Sequence, residues 1–256
     1  MSDDPIAIVT GGESGIGAAC VTALAKVGAR VVFTYFKDAD AANAVAGAAP
    51  GGTDRVRPIR CDVSDESAVE ALFAEAESAF GTADWLVNSA GLNMTGTRLV
   101  DMPLSQFDRV IRSDLYGPFL TCRRFARAAE AAARGGRIVN ISSIHERAPR
   151  PGGADYDSAK GGLAQLTATL ALELAPKRIA VNGVAPGMIL TPMNEKAMQD
   201  QDYRKTLEAN IPWGRAGTAE EVAGLVAFLL SPAADYITGT TVTIDGALSL
   251  VIAQGA

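Results

Sequence analysis

An α/β fold, with a doubly wound seven-stranded parallel sheet and helices on both faces, is predicted by three features of the sequence. Short β-branched runs alternate with longer Ala/Leu/Glu-rich stretches at helical period, the pattern of repeated strand–helix units. The first strand runs directly into a glycine-rich turn, Thr10-Gly11-Gly12-Glu13-Ser14-Gly15-Ile16-Gly17, and then into an Ala-rich helix. The 256 residues, 48% hydrophobic and 20% charged, suit one continuous core, so residues 1–256 are expected to form a single domain.

Strands are expected near Ile6–Thr10, Val31–Tyr35, Val56–Arg60, Trp85–Asn88, Arg137–Ser142, Ile179–Ala185 and Thr241–Ile244. Helices are expected near Gly15–Val27, Asp40–Ala48, Glu66–Phe80, Leu104–Ala133, Asp155–Leu174 and Ala219–Leu230. Ser64 and Asp65 before the third helix, and Thr218 before the last, offer side-chain oxygens to free N–H groups. The stretch from Ala44 to Gly52 is a helix end and turn. Residues 190–212 have little strand character and predict a helical flap before the last strand–helix unit.

Composition narrows the function. Apolar runs such as Leu225–Leu230 are far shorter than the ~20 residues that span a bilayer. The acidic start, Met1-Ser2-Asp3-Asp4-Pro5, lacks the basic and apolar segments of a signal peptide, so cytoplasmic residence is expected. Cys20, Cys61 and Cys122 stand apart without a Cys-x-x-Cys pair, which argues against a disulfide framework or a zinc site; no metal is expected. A net charge of -6 opposes nucleic acid, leaving a small molecule as the expected partner.

The turn after the first strand is built for an anion. Glycines let a pyrophosphate approach the backbone, and the N–H groups and positive dipole end of the following helix meet its charge. Gly11, Ser14, Gly15, Ile16 and Gly17 are the candidate contacts, and Ala18-Ala19 in place of Lys-Ser/Thr rejects an NTPase loop. A tight strand-to-helix turn alone would also explain such glycines. Two further features favour a dinucleotide: Asp62, with Val63 beside it, stands where a carboxylate can accept from an adenine amino group, and Asn88-Ser89-Ala90-Gly91 makes a second small turn over the crevice.

The chemistry is carried by Ser143, then Tyr156, then Lys160. Tyr156-Asp157-Ser158-Ala159-Lys160 puts a phenol and an ammonium on one helix face, one turn apart. With the opening glycines and Asn88-Ser89-Ala90-Gly91, this order and spacing resembles the short-chain dehydrogenase/reductase family over essentially the whole chain. The resemblance implies a Rossmann-type fold and an NAD(P)-dependent oxidoreductase. It gives Tyr156 the role of proton acceptor or donor, Ser143 a hydrogen bond to the substrate oxygen, and Lys160 a hold on the nicotinamide ribose. Physically, a tyrosine is a poor base at neutral pH, and a neighbouring ammonium and a positive nicotinamide both favour its phenolate. Pro186-Gly187-Met188-Ile189-Leu190-Thr191 matches the family's turn beside the nicotinamide, with Ile189 and Thr191 toward the carboxamide.

Asp114 departs from that pattern, since the family usually has asparagine there, holding a water in the proton relay from the lysine. The resemblance implies the same relay role for Asp114. Within the family, Ser142-Ser143-Ile144-His145-Glu146-Arg147 with Pro149 and Pro151, Ile211-Pro212-Trp213-Gly214, and Gln254-Gly255 resemble the glucose 1-dehydrogenases. His145, the only histidine, is then expected to meet a sugar hydroxyl. Asn93 stands where that subgroup has a glutamate facing the substrate, which argues against glucose itself and leaves the aldose or polyol open.

The second strand ends in Thr34-Tyr35-Phe36-Lys37, without the carboxylate that binds both ribose hydroxyls and repels the extra phosphate of NADP. With Tyr35 and Lys37 there, use of both NADP and NAD is expected, leaning to NADP. The resemblance also implies a homotetramer. Competing readings are a reductase of carrier-bound 3-ketoacyl chains, with Arg123, Arg124 and Arg127 as its basic patch, and a catalytically silent dinucleotide binder.

Overall fold

The computed structural model describes residues 4–94 and 96–253. The Met1–Asp3 start and the Gln254-Gly255 pair lie outside the described residues. The chain runs β1 (Ile6–Thr10), α1 (Gly15–Lys26), β2 (Arg30–Tyr35), α2 (Ala39–Ala48), a single turn α3 (Gly52–Arg55), β3 (Val56–Arg60), α4 (Glu66–Phe80) and β4 (Trp85–Asn88). Next come α5 (Leu104–Ile111), a π-helical turn (Arg112–Tyr116), α6 (Gly117–Ala131), β5 (Gly136–Ile141), α7 (Ala154–Leu174), β6 (Ile179–Pro186) and β7 (Ile189–Leu190). It closes with α8 (Glu195–Gln199), α9 (Gln201–Glu208), β8 (Gly217–Thr218), α10 (Ala219–Leu230) and β9 (Thr241–Ile244).

Seven strands pair in the order β3-β2-β1-β4-β5-β6-β9, all parallel, and β7 and β8 form a separate two-stranded pair. This is the Rossmann-type sheet expected from the sequence. Winding proceeds outward from β1 through β2 and β3, then returns to β4 and continues the other way. The reversal between β1 and β4 opens a crevice at their carboxyl ends.

Side-chain alternation along each strand divides the core in two. Ala7 and Val9 of β1 face Cys20, Val21 and Leu24 of α1, together with Val222 and Val226 of α10. Ile6 and Ile8 face the opposite layer, with Leu72 and Phe73 of α4 and Phe125 of α6. Fully burying an apolar side chain of this size stabilises the fold by about 1.5–3 kcal/mol.

Helix starts follow their caps. Asp38 Oδ1 accepts from Ala41 N at 2.9 Å and Asp65 Oδ1 from Ala68 N at 3.0 Å. Thr218 and Glu221 form a reciprocal capping box. The Ser14 side chain caps nothing at the start of α1, and the first turn of α1 holds no acidic residue.

The helix end and turn read between Ala44 and Gly52 are the end of α2 at Ala48 and the turn into α3 at Gly52. One expectation needs correction. The single helix expected over Leu104–Ala133 is broken by the π-helical turn Arg112–Tyr116. Pro118 explains the break: it has no N–H to give the Asp114 carbonyl, and in an unbroken α-helix its ring would press on that carbonyl. The wider turn relieves the conflict.

Candidate active site

A cavity of about 1130 Å³ occupies the crevice, walled by the β1–α1 turn, the ends of β2 and β3, the loop after β4, the π turn, and Pro186 to Asn194. The glycines set its floor. Gly11 and Gly15 have positive φ (66° and 53°), and a Cβ on Gly17 would lie 1.9 Å from Gly11 O. Thr10 Oγ1 accepts from Ser89 N and Ala90 N at 3.0 and 3.1 Å, tying the two turns together, and a Cβ on Gly11 would lie 2.8 Å from Ala90 Cα. A narrow cradle and a helix start without a side-chain cap fit the pyrophosphate of a dinucleotide.

Most of the residues singled out from sequence line this cavity: Gly11, Ser14, Gly15, Ile16, Gly17, Lys37, Asp62, Val63, Ala90, Gly91, Asp114, Ser143, Tyr156, Lys160, Pro186, Gly187, Ile189 and Thr191. Four expected contacts lie off its wall. Tyr35 packs against the core, because strand alternation gives the wall to its neighbours Thr34 and Phe36. Asn88 is buried, accepting from Thr121 Oγ1 at 2.6 Å and donating to Asn140 Oδ1 at 2.8 Å, so it braces β4 against β5 and α6. Asn93 Oδ1 accepts from Arg150 Nη2 at 3.2 Å. His145 Nδ1 lies 2.7 Å from Ala148 O; a carbonyl only accepts, so Nδ1 carries the proton.

The wall also holds Glu13, whose buried Oε2 has no partner among the described residues, and Arg109 and Arg112. No motif flagged these. Glu13 sits inside the glycine turn, and an acidic side chain within a phosphate-binding turn was the signal available for it.

Tyr156 and Lys160 lie one turn apart on the buried face of α7, with Lys160 Nζ 5.4 Å from the Tyr156 ring centre. Asp155, fully buried, fixes that turn: its Oδ1 accepts from Tyr156 N at 2.8 Å and its Oδ2 from Gln106 Nε2 at 2.8 Å. Ser143 follows β5, with its Oγ accepting from His145 N at 3.2 Å. Lys160 Nζ donates to Ile141 O at 3.1 Å and lies 3.2 Å from Asp114 Oδ2. Burial would lower the pKa of Lys160, but the Asp114 carboxylate and then Tyr156 outweigh it, so the value is raised above that of an ordinary lysine. Asp114 Oδ1 accepts from Leu92 N at 2.7 Å. Gly91 leaves room for the carboxylate, since a Cβ there would lie 2.8 Å from Oδ2.

The three cysteines are buried and free. Burial pushes the thiols of Cys20 and Cys122 up to about 12, and burial with Asp62 and Asp65 pushes Cys61 up to about 11, so all are poor nucleophiles. Among the described residues no helix is long and apolar enough to cross a membrane. Arg123 is paired with Glu66, and Arg124 with Glu70 and Glu77, so most of the basic patch needed to receive an acidic carrier is already neutralised.

Sheet order, glycine turn and the Ser143, Tyr156, Lys160 cluster define a nicotinamide-dependent oxidoreductase, and the chain belongs to the short-chain dehydrogenase/reductase family. Residues 11–249 match the family model described as enoyl-(acyl carrier protein) reductase. The chain is 37% identical to 3beta-hydroxysteroid dehydrogenase 1 of Eggerthella lenta, over 95% of this chain and 93% of that protein. It is 36% identical to glucose 1-dehydrogenase 2 of Bacillus subtilis, over 97% of this chain and 96% of that one. The crystal structure of acetoin dehydrogenase from Enterobacter cloacae superposes with a TM-score of 0.88 at 36% identity, covering 100% of both chains.

Proposed function

We propose that the protein interconverts a hydroxyl and a carbonyl on an aldose or polyol, using both NADP and NAD with a lean to NADP. The observation that carries this reading is the buried Tyr156 and Lys160 pair on one face of α7, beside Ser143 and at the edge of a cavity of dinucleotide size. When bound, the nicotinamide supplies the hydride acceptor or donor. Ser143 holds the substrate oxygen, Tyr156 takes its proton in oxidation and returns one in reduction, and Lys160 keeps the phenolate favoured. His145, held through Nδ1 by Ala148 O, turns Nε2 to a substrate hydroxyl. Glycines 11, 15 and 17 and the first turn of α1 hold the pyrophosphate, Asp62 the adenine, and Ile189 and Thr191 the carboxamide.

The lean to NADP rests on Lys37 at the cavity wall and on Tyr35 and Phe36, in place of a carboxylate, at the end of β2; Asp38, also on the wall, is held at the start of α2 by the Ala41 N–H. The same reading takes the chain as one folding unit with residues 190–212 as a flap over the site, working in the cytoplasm as a homotetramer. Cofactor reduction followed by absorbance with sugars, polyols and secondary alcohols tests it. Turnover of sugars or polyols supports it, and inactivity on every hydroxyl compound overturns it.

A further inference from the structure

We propose that Arg150 binds a carboxylate on the substrate, so that among polyhydroxy compounds those carrying an acid group, such as aldonates, are preferred over their neutral counterparts. This rests on the reading of Tyr156 as the group that handles the substrate proton.

Arg150 lies in the loop between β5 and α7, with a proline on each side limiting its backbone. Its backbone N–H donates to Asp157 Oδ2 at 2.9 Å, which fixes the start of the side chain. The guanidinium is held from two directions. Nη2 donates to Asn93 Oδ1 at 3.2 Å, and the guanidinium carbon lies 5.8 Å from the centre of the Tyr156 ring. Arg150 therefore bridges the loop after β4 and the tyrosine. It is absent from the wall of the dinucleotide-sized cavity, although Tyr156 lines it.

Chemistry follows from that placement. A guanidinium has five N–H donors in a planar fork that matches the two oxygens of a carboxylate. One is spent on Asn93, and among the described residues the buried Nε has no hydrogen-bond partner. With a neutral substrate this fixed cation would act only through Tyr156. At a site for an acid the same cation supplies both attraction and orientation, because a fork held by Asn93 loses little freedom when it binds. Asn93, at a position expected to face the substrate, holds the arginine.

The test compares matched pairs, glycerol with glycerate and sorbitol with gluconate. It measures kcat/KM with each oxidised cofactor and, independently, calorimetric binding of each compound to the enzyme saturated with reduced cofactor. The acid should be favoured by about tenfold or more in both measurements. Arg150→Leu should erase that preference mainly through the KM of the acid, and Arg150→Lys should keep part of it. If Arg150→Leu does not fold, Arg150→Gln removes the charge while retaining a donor for Asn93. Neutral compounds binding as well as their acids would overturn the proposal. So would equal losses on both members of a pair, which would mark Arg150 as a second cation acting on Tyr156 alone. Acid-selective binding without turnover of any pair would leave this inference standing and overturn the proposed reaction.

Discussion

Asp114 Oδ2 and Lys160 Nζ lie 3.2 Å apart, and both side chains are almost completely sealed from solvent. The π turn at Arg112–Tyr116 carries Asp114, so a proline in the following helix is coupled to the charge balance beside Tyr156. The carboxylate is among the causes that raise the pKa of Lys160, and it opposes a second negative charge on Tyr156 nearby. Asp114→Asn keeps an oxygen for the Leu92 N–H and removes that opposition. The acid limb of the kcat/KM profile for alcohol oxidation should move to lower pH, with activity retained. A full pH profile of both proteins checks it, and an unmoved limb would separate Asp114 from the proton step.

Replacing Tyr156 by phenylalanine removes the proton acceptor and keeps the ring that packs beside Lys160 and Arg150. Turnover should fall by roughly 10²–10⁴-fold, the usual contribution of a general acid–base group. Cofactor Kd, measured by quenching of protein fluorescence, should change little because the glycine turn is untouched. A comparable loss of cofactor affinity would make Tyr156 a binding residue rather than the proton carrier.

Much of the fold was legible because strand alternation and glycine turns are local. Β-branched runs gave β1, β4 and β9 with their observed limits, and Asp65 and Thr218 marked the starts of α4 and α10. The π turn was not legible, since Leu104–Ala133 keeps a helical pattern throughout and the cost of Pro118 is resolved by geometry that spacing does not encode. In the site, the motifs located Ser143, Tyr156 and Lys160 together, but not the partners of Asn88, Asn93 or Arg150. Those contacts join residues 33 to 57 positions apart, which no short pattern connects.

Lys37 stands at the end of β2, exposed, on the wall of the cavity. Its ammonium is the charge available there for the extra phosphate of NADP, and NAD offers it only ribose hydroxyls. Lys37→Ala should weaken NADP about tenfold or more and leave NAD nearly unchanged, measured as Kd for each reduced cofactor. Equal losses for the two cofactors would remove Lys37 from phosphate recognition, with the acidic Glu13 on the same wall as the next residue to substitute.

Glu221 links the start of α10 to Arg215, and thereby steadies the chain entering β8. Its carboxylate pairs with the Arg215 guanidinium and accepts from Thr218 N at 2.9 Å. The Arg215 hydrogen bond first, then the Thr218 N–H, lower its pKa from 4.5 to about 2. A depressed folded-state value means that protons bind the unfolded chain more tightly. The stabilisation is therefore present above 4.5 and is lost as pH falls from there to about 2. Glu221→Gln should melt earlier than the parent at neutral pH, with the difference in Tm narrowing as pH falls through that window. Thermal scans of both proteins from neutral to acid pH check this. A Tm difference that does not change with pH would show that the capping geometry, and not the charge of Glu221, holds the helix start.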